Sequence, residues 1–213
     1  EKMPKLIELD LTGDQIIDFS SLSRLQKLQV LTLKSSNIPF LFSIDSLDQL
    51  NELDLSNTRI TNLNPIVGFK SLEVLHLDST NVADITPLKQ LQKLKVVYLN
   101  DTHVSELSAL QGLPNLQRVY CDHTSVTQKI ADAFMAANPG VLVIFDSEDL
   151  KTWWAALSPA WKNVLTKTAG LSTNPSKEEL ARVTNLDSVS LVNQSEISSL
   201  EPLRRLYKLK KIN

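Results

Sequence analysis

The sequence predicts an α/β solenoid in which each coil contributes one short strand and one return segment, and three observations predict it. An apolar pattern recurs six times at an unbroken interval of 22 residues, beginning at Leu6, Leu28, Leu50, Leu72, Leu94 and Leu116. Within each unit two apolar residues stand two apart, as in Leu31 and Leu33, Leu53 and Leu55, Leu75 and Leu77 or Val119 and Cys121. That alternation puts both side chains on one face of a strand, and stacked strands spaced about 4.8 Å apart make a parallel sheet. The later aliphatics of a unit, such as Ile60, Leu63, Ile66 and Phe69, recur every three residues, which suits a tight 3₁₀-like return on the convex side.

A lone unit cannot stand. It offers about eight apolar side chains, worth roughly 1.5–3 kcal/mol each when fully buried, against roughly 1.5 kcal/mol of ordering cost per residue. Stability must come from neighbours covering one another's open faces. A polar column, Asp14, Ser36, Thr58, Thr80, Thr102 and Thr124, falls three residues after the second strand position and reads as structural, its side chains bonding backbone where the strand turns out of the sheet.

After Val126 the repeat fails. Thr127 to Ala137 reads as a helix with Ile130, Phe134 and Ala137 on one face, stopped by Asn138-Pro139-Gly140, and Val141 to Phe145 reads as a closing strand. Ser147 is the expected N-cap of a helix over Glu148 to Leu157. Ser158 with Pro159 starts another that Gly170 ends, and Ser176 with Glu179 forms a capping-box pattern. From Leu186 the motif resumes one residue longer, through Val189, Leu191, Ile197, Leu200, Leu203 and Leu206. The expected organisation is an array over residues 1–147, a helical spacer over 148–175, and the start of a second array over 176–213. Glu1 in place of an initiator Met, and a new unit opening at Leu209 and Ile212, lead us to expect a piece of a longer parent chain.

Composition excludes more than it assigns. A net charge of −2 supplies no general attraction for phosphate backbones or anionic lipid. The apolar run Val141 to Phe145 is far too short to span a bilayer, so no membrane insertion is expected. A single cysteine, Cys121, rules out an intrachain disulfide and reads as a buried thiol at an inward strand position.

The stretches L-E-V-L-H-L-D-S-T-N-V-A-D-I-T-P-L-K-Q-L from Leu72 to Leu91 and L-N-E-L-D-L-S-N-T-R-I-T-N-L-N-P-I from Leu50 to Ile66 resemble the 22-residue leucine-rich repeats of bacterial internalins and related surface proteins. Cytosolic phosphatase-regulating leucine-rich-repeat proteins share nearly the same pattern. The resemblance covers about two thirds of the chain. It implies a leucine-rich-repeat solenoid, a protein-binding role and a secreted or bacterial cell-surface location, with a cytoplasmic one as the alternative. The chain departs from internalins in showing neither their helical N-terminal cap nor their immunoglobulin-like domain. In their place it carries L-K-T-W-W-A-A-L-S-P-A-W-K, which resembles helical inserts of bacterial multi-repeat proteins.

Outward strand positions form three columns on the concave face, led by Glu8, Asp10 and Thr12. They hold six carboxylates, on Glu8, Asp10, Glu52, Asp54, Asp78 and Asp122, against Lys34 and Arg118, and this acidity argues against a nucleic-acid partner. Within the columns Val74, His76, Val96, Tyr98, Arg118 and Tyr120 cluster in the last three units and are the expected partner-binding residues, since exposed aromatics beside arginine make protein-binding hot spots. The competing account is that the tyrosines merely stack as cross-strand neighbours.

No catalytic residue, cofactor or metal site is expected. Three histidines and five glycines form no nucleophile elbow, zinc-spaced pair or phosphate loop, and the oxygen-rich line Asp78, Asn100 and Asp122 reads as solvated polars. Trp153, Leu157 and Trp161 recur at helical spacing and read as core of the spacer, with Trp154 pointing elsewhere, toward the end of the array. The leading expectation is a non-enzymatic module that grips a protein partner on its concave face. The alternatives are a cytosolic regulatory subunit docking on an enzyme such as a phosphatase, and a glycan-binding accessory of the bacterial envelope.

Overall fold

The structure, a computed structural model, describes residues 5–213 except Ile17 and Pro39, so the expectation attached to Glu1 lies outside the described residues. The chain divides into two compact units, one running to Val143 and the other from Ile144 to Asn213.

Six three-residue strands recur through the first unit: β1 (Glu8–Asp10), β2 (Val30–Thr32), β3 (Glu52–Asp54), β4 (Val74–His76), β5 (Val96–Tyr98) and β6 (Arg118–Tyr120). A helix, α1 (Gln128–Ala137), and a strand, β7 (Leu142–Ile144), follow. The sheet has seven strands in sequential order, and from β1 to β6 every pair is parallel with each residue facing the one 22 positions on, as in Leu53 against Leu75. This register aligns the leucine columns, and Leu31, Leu33, Leu53, Leu55, Leu75, Leu77 and Leu99 are fully buried. Leu9 and Leu11, in the first coil, are only half-buried, because a core coil needs a neighbour on each side.

The return segments are 3₁₀ turns, five residues long at Ser20–Arg24, Asn64–Gly68 and Thr86–Gln90 and three long at Leu41–Ser43 and Ser108–Leu110. Their entry is set by a short side chain two residues upstream of the accepted N–H. Asp18, Asn62 and Asp84 take hydrogen bonds from the backbone of Ser20, Asn64 and Thr86 at 2.8, 2.9 and 2.8 Å. The second coil has Phe40 in that column, has no such bond, and its turn is shortened. Gly68 permits a close approach, since a Cβ there would meet the Asp45 carbonyl oxygen.

The polar column behaves as the sequence implies. Thr58, Thr80, Thr102 and Thr124 donate through Oγ1 to the carbonyls of Leu55, Leu77, Leu99 and Cys121 at 2.7, 2.7, 2.6 and 2.8 Å. Ser36, lacking the threonine methyl that biases χ1, leaves its buried Oγ without a partner.

Helix α1 begins one residue later than its sequence pattern suggests, with Thr127 as N-cap accepting from Ile130 N, and it buries Ala131, Phe134 and Met135 rather than a face through Ile130 and Ala137. Cys121 is buried, as expected.

The second unit opens with α2 (Ser147–Ala156), α3 (Pro159–Ala169) and α4 (Lys177–Thr184), then two parallel strands, β8 (Ser188–Val189) and β9 (Lys211–Ile212), offset by 23 residues around a 3₁₀ turn at Glu201–Arg205. Ser147 is not the N-cap of α2: it lies inside the helix and is buried, while Asp146 holds the cap position in the left-handed region at φ 51°. Ser158 caps α3 as expected, and Gly170 ends it at φ 64°. Trp161, Val164, Leu165, Leu171, Val183, Val189 and Leu206 form the core of this unit, with Trp153 and Trp154 packed against it. Trp154 therefore joins the same core as Trp153, contrary to the expectation that it points away, because both indoles are wide enough to reach the cluster from adjacent helix positions.

The capping box at α4 is complete. Ser176 Oγ accepts from Glu179 N at 3.2 Å, and Glu179 Oε2 accepts from Ser176 N and Ser172 Oγ at 2.8 Å each. These bonds, led by the Ser176 N–H, hold the Glu179 carboxyl below its ordinary range.

Three tests follow from this geometry. Gly68→Ala should destabilise the array by roughly 1–3 kcal/mol in chemical denaturation, since backbone rather than a flexible side chain must give way. Thr80→Val, near-isosteric, strips the buried Leu77 carbonyl of its Oγ1 donor and should cost roughly 1–3 kcal/mol by the same measurement. A carboxyl depressed on folding stabilises above its ordinary pKa, and that stability fades as pH falls through the lower folded value. The Tm advantage of the natural chain over Glu179→Gln should accordingly be full at neutral pH and vanish on acidification.

Candidate functional site

The face of the sheet opposite the leucine core carries the candidate site, and the repeat register builds it. Because β4, β5 and β6 pair 22 residues apart, His76, Tyr98 and Tyr120 stand directly opposite one another. Strands about 4.8 Å apart leave aromatic rings at that column little choice but to stack. The His76 and Tyr98 centroids are 4.3 Å apart with planes 5° from parallel, and those of Tyr98 and Tyr120 are 4.5 Å apart at 7°. His76 Nε2 also approaches Glu52 Oε1 at 3.5 Å, one strand back.

The next column over is Val74, Val96 and Arg118, again in register. Arg118 is exposed and Val74 half-buried, so both present surface. Two of the six expected binding residues do not. Tyr120 is only 4% exposed and Val96 only 7%. Alternation fixes which face a side chain leaves from, but not whether neighbours cover it. Tyr120 lies in the sixth of seven strands with the Tyr98 ring on one side, and the short Val96 sits between Val74 and Arg118. The surface that remains open is formed by Val74, His76, Tyr98 and Arg118, with Tyr120 as the buried base of the stack.

Acidic groups flank this surface. Asp54 Oδ1 accepts from Ser56 N at 2.8 Å, and Asp10 Oδ1 accepts from Thr12 Oγ1 at 2.6 Å and from Thr12 N at 2.9 Å, which lowers the Asp10 carboxyl, the hydroxyl bond contributing most. In the third column Asn100 donates from N and Nδ2 to Asp78 Oδ1 at 2.8 and 2.9 Å, and Asp122 N donates to Asn100 Oδ1 at 2.9 Å. The oxygen-rich line is thus a ladder just past the ends of β4, β5 and β6, in which side-chain oxygens of one coil accept from amides of the next. Among the described residues no group of three or more His, Cys, Asp or Glu is placed to hold a metal ion, and no helix is long and apolar enough to cross a membrane.

One column escaped the sequence reading. Ser35, Asn57, Ser79, Asp101 and His123 all lie at φ 56–57°, and Gly13 in the same column at 74°. This left-handed residue turns each coil out of its strand, at a cost of roughly 1–2 kcal/mol for a side chain bearing a Cβ. The signal was the types themselves: glycine, asparagine and aspartate tolerate that region, and Asn193 repeats it in the second unit at 61°. The Asp101 and His123 pair, 2.9 Å apart from Oδ1 to Nδ1, belongs to this turn and is solvated.

Comparison with known proteins agrees with the architecture. Residues 48–90 match a family model described as leucine rich repeats in two copies. An internalin C2 from Listeria monocytogenes superposes over 99% of this chain and 72% of its own, at 22% identity and a TM-score of 0.62. A second internalin of that species matches 97% of this chain and 47% of its own at 20% identity and a TM-score of 0.54. A leucine-rich-repeat protein of Leptospira interrogans matches 66% of this chain and 37% of its own at 26% identity and a TM-score of 0.58. No curated protein matches the sequence. The chain has the leucine-rich-repeat α/β solenoid fold that the internalin structures share, and residues 48–90 carry two leucine-rich repeats. It spans less than half the length of the second internalin and of the Leptospira protein.

Proposed function

We propose that the first unit is a protein-binding module, of a secreted or bacterial cell-surface protein, that grips its partner on the open sheet face. The observation that carries this reading is the stacked His76–Tyr98–Tyr120 column beside exposed Arg118. A buried Tyr120 props the Tyr98 ring, so Tyr98 enters a complex already fixed in place and loses little side-chain freedom on binding. Val74 and the ring faces supply apolar area, while Arg118 supplies a planar donor fork. The flanking Glu52, Asp54 and Asp78 carboxylates favour a partner that brings basic groups to the rim. The likeness to internalins supports the surface location and the binding role.

The partner retained by the natural chain should bind Tyr98→Ala/Arg118→Ala more weakly by at least about 2 kcal/mol, roughly 30-fold, in calorimetric titration. Tyr120 is left intact because it is buried. Equal affinity in a double variant whose circular dichroism and Tm are unchanged removes the site.

A further inference from the structure

The second unit encloses a cavity of about 580 Å³, inside the range of about 300–1,000 Å³ typical of small-molecule sites. It is made wholly from this unit, by α2, α3 and the segment from Glu196 to Tyr207, and it has no part in the sheet-face reading above. Its walls join two chemistries. Tyr207, exposed, and Trp153, half-buried, supply aromatic surface over the buried Trp161, and Glu196, Glu201, Arg204 and Arg205 supply planar charged groups in equal number of each sign.

The geometry points to a binding site for a neutral saccharide. Sugar rings present an apolar C–H face and a rim of hydroxyls, each able to donate and accept. Aromatic planes match the first, and carboxylate and guanidinium groups, which accept or donate in pairs, match the second. An anionic ligand would need surplus positive charge, yet the two carboxylates cancel the two guanidiniums. Glu196, Glu201 and Arg204 stand at the solvated rim, where a ligand bearing hydroxyls meets them and a purely apolar one makes no use of them.

The site is also preformed. The Trp161 Nε1–H donates to Ser199 O at 2.9 Å, tying α3 to the opposite wall. Arg205 is held by Tyr207 Oη and Asp149 Oδ2, each at 3.3 Å. Glu201 and Arg204, 3.1 Å apart but with side chains 64% and 80% exposed, form a solvated pair that can exchange partners for a ligand at small cost.

Titration of the full chain with cellohexaose, chitohexaose, maltohexaose and laminarihexaose at millimolar concentrations, followed by tryptophan emission and by ligand-observed NMR, tests this. At least one probe should give a saturable change. Tyr207→Ala and Glu201→Gln should each weaken it at least about ten-fold, Tyr207→Phe should restore most of it, and Tyr98→Ala should leave it untouched. Absence of saturation with all four probes overturns the proposal. So does equal affinity in Tyr207→Ala and Glu201→Gln, or a cavity that takes indole while refusing every saccharide. Loss of binding in Tyr98→Ala would place the saccharide on the sheet face instead, and would also overturn it.

Discussion

Register across the parallel sheet is the constraint on which the first unit depends. Each strand is only three residues long, so a coil has few bonds of its own, and the pairing of every residue with the one 22 positions on decides what touches what. A slip by one residue would turn the leucines of a coil to solvent and its charges into the core. Side chains outside the strands defend the register. The threonine hydroxyls bond the carbonyls at the exit of each strand, and the left-handed residue just before each of them fixes where the chain leaves. The Asx turns then launch the 3₁₀ returns from one repeating point.

The same register that buries leucine on one face organises function on the other. Nothing local in His76 or Tyr98 asks for a stacked pair. Strand spacing brings the rings within 4.3 to 4.5 Å, and the column is aromatic only where the sequence places aromatics in three successive units. A repeat protein can therefore write a binding surface one residue per coil without disturbing the core, since inward and outward positions are separate columns. The second unit solves burial differently, with helices whose indoles serve both as core and as the wall of a cavity. Trp161 does both, at 3% exposure.

Much of this could be read from spacing. The coil length, the buried pairs, the hydroxyl column, the capping box of α4 and the cap of α3 are local or periodic features, and the structure reproduces them. The misreadings came where non-local packing decides. Ser147 resembles an N-cap by type, but the chain makes its left-handed turn at Asp146 and carries the serine into the helix. Tyr120 and Val96 leave the sheet on the open side, yet covering neighbours bury them. Trp154 looks stranded on its helix by spacing alone, but it reaches the common core.

By itself the sequence determined the solenoid, because a period of 22 with apolar pairs two apart admits one way of hiding its leucines, coil upon coil. It also determined which residues share the open face, since alternation along a strand is a local property. Only the tertiary structure decided how much of each side chain on that face meets solvent, and that α2, α3 and the second repeat close around a cavity. Exposure and enclosure depend on what lies alongside, across tens of residues of chain, as with the Trp161 N–H that meets its acceptor on Ser199, 38 positions away.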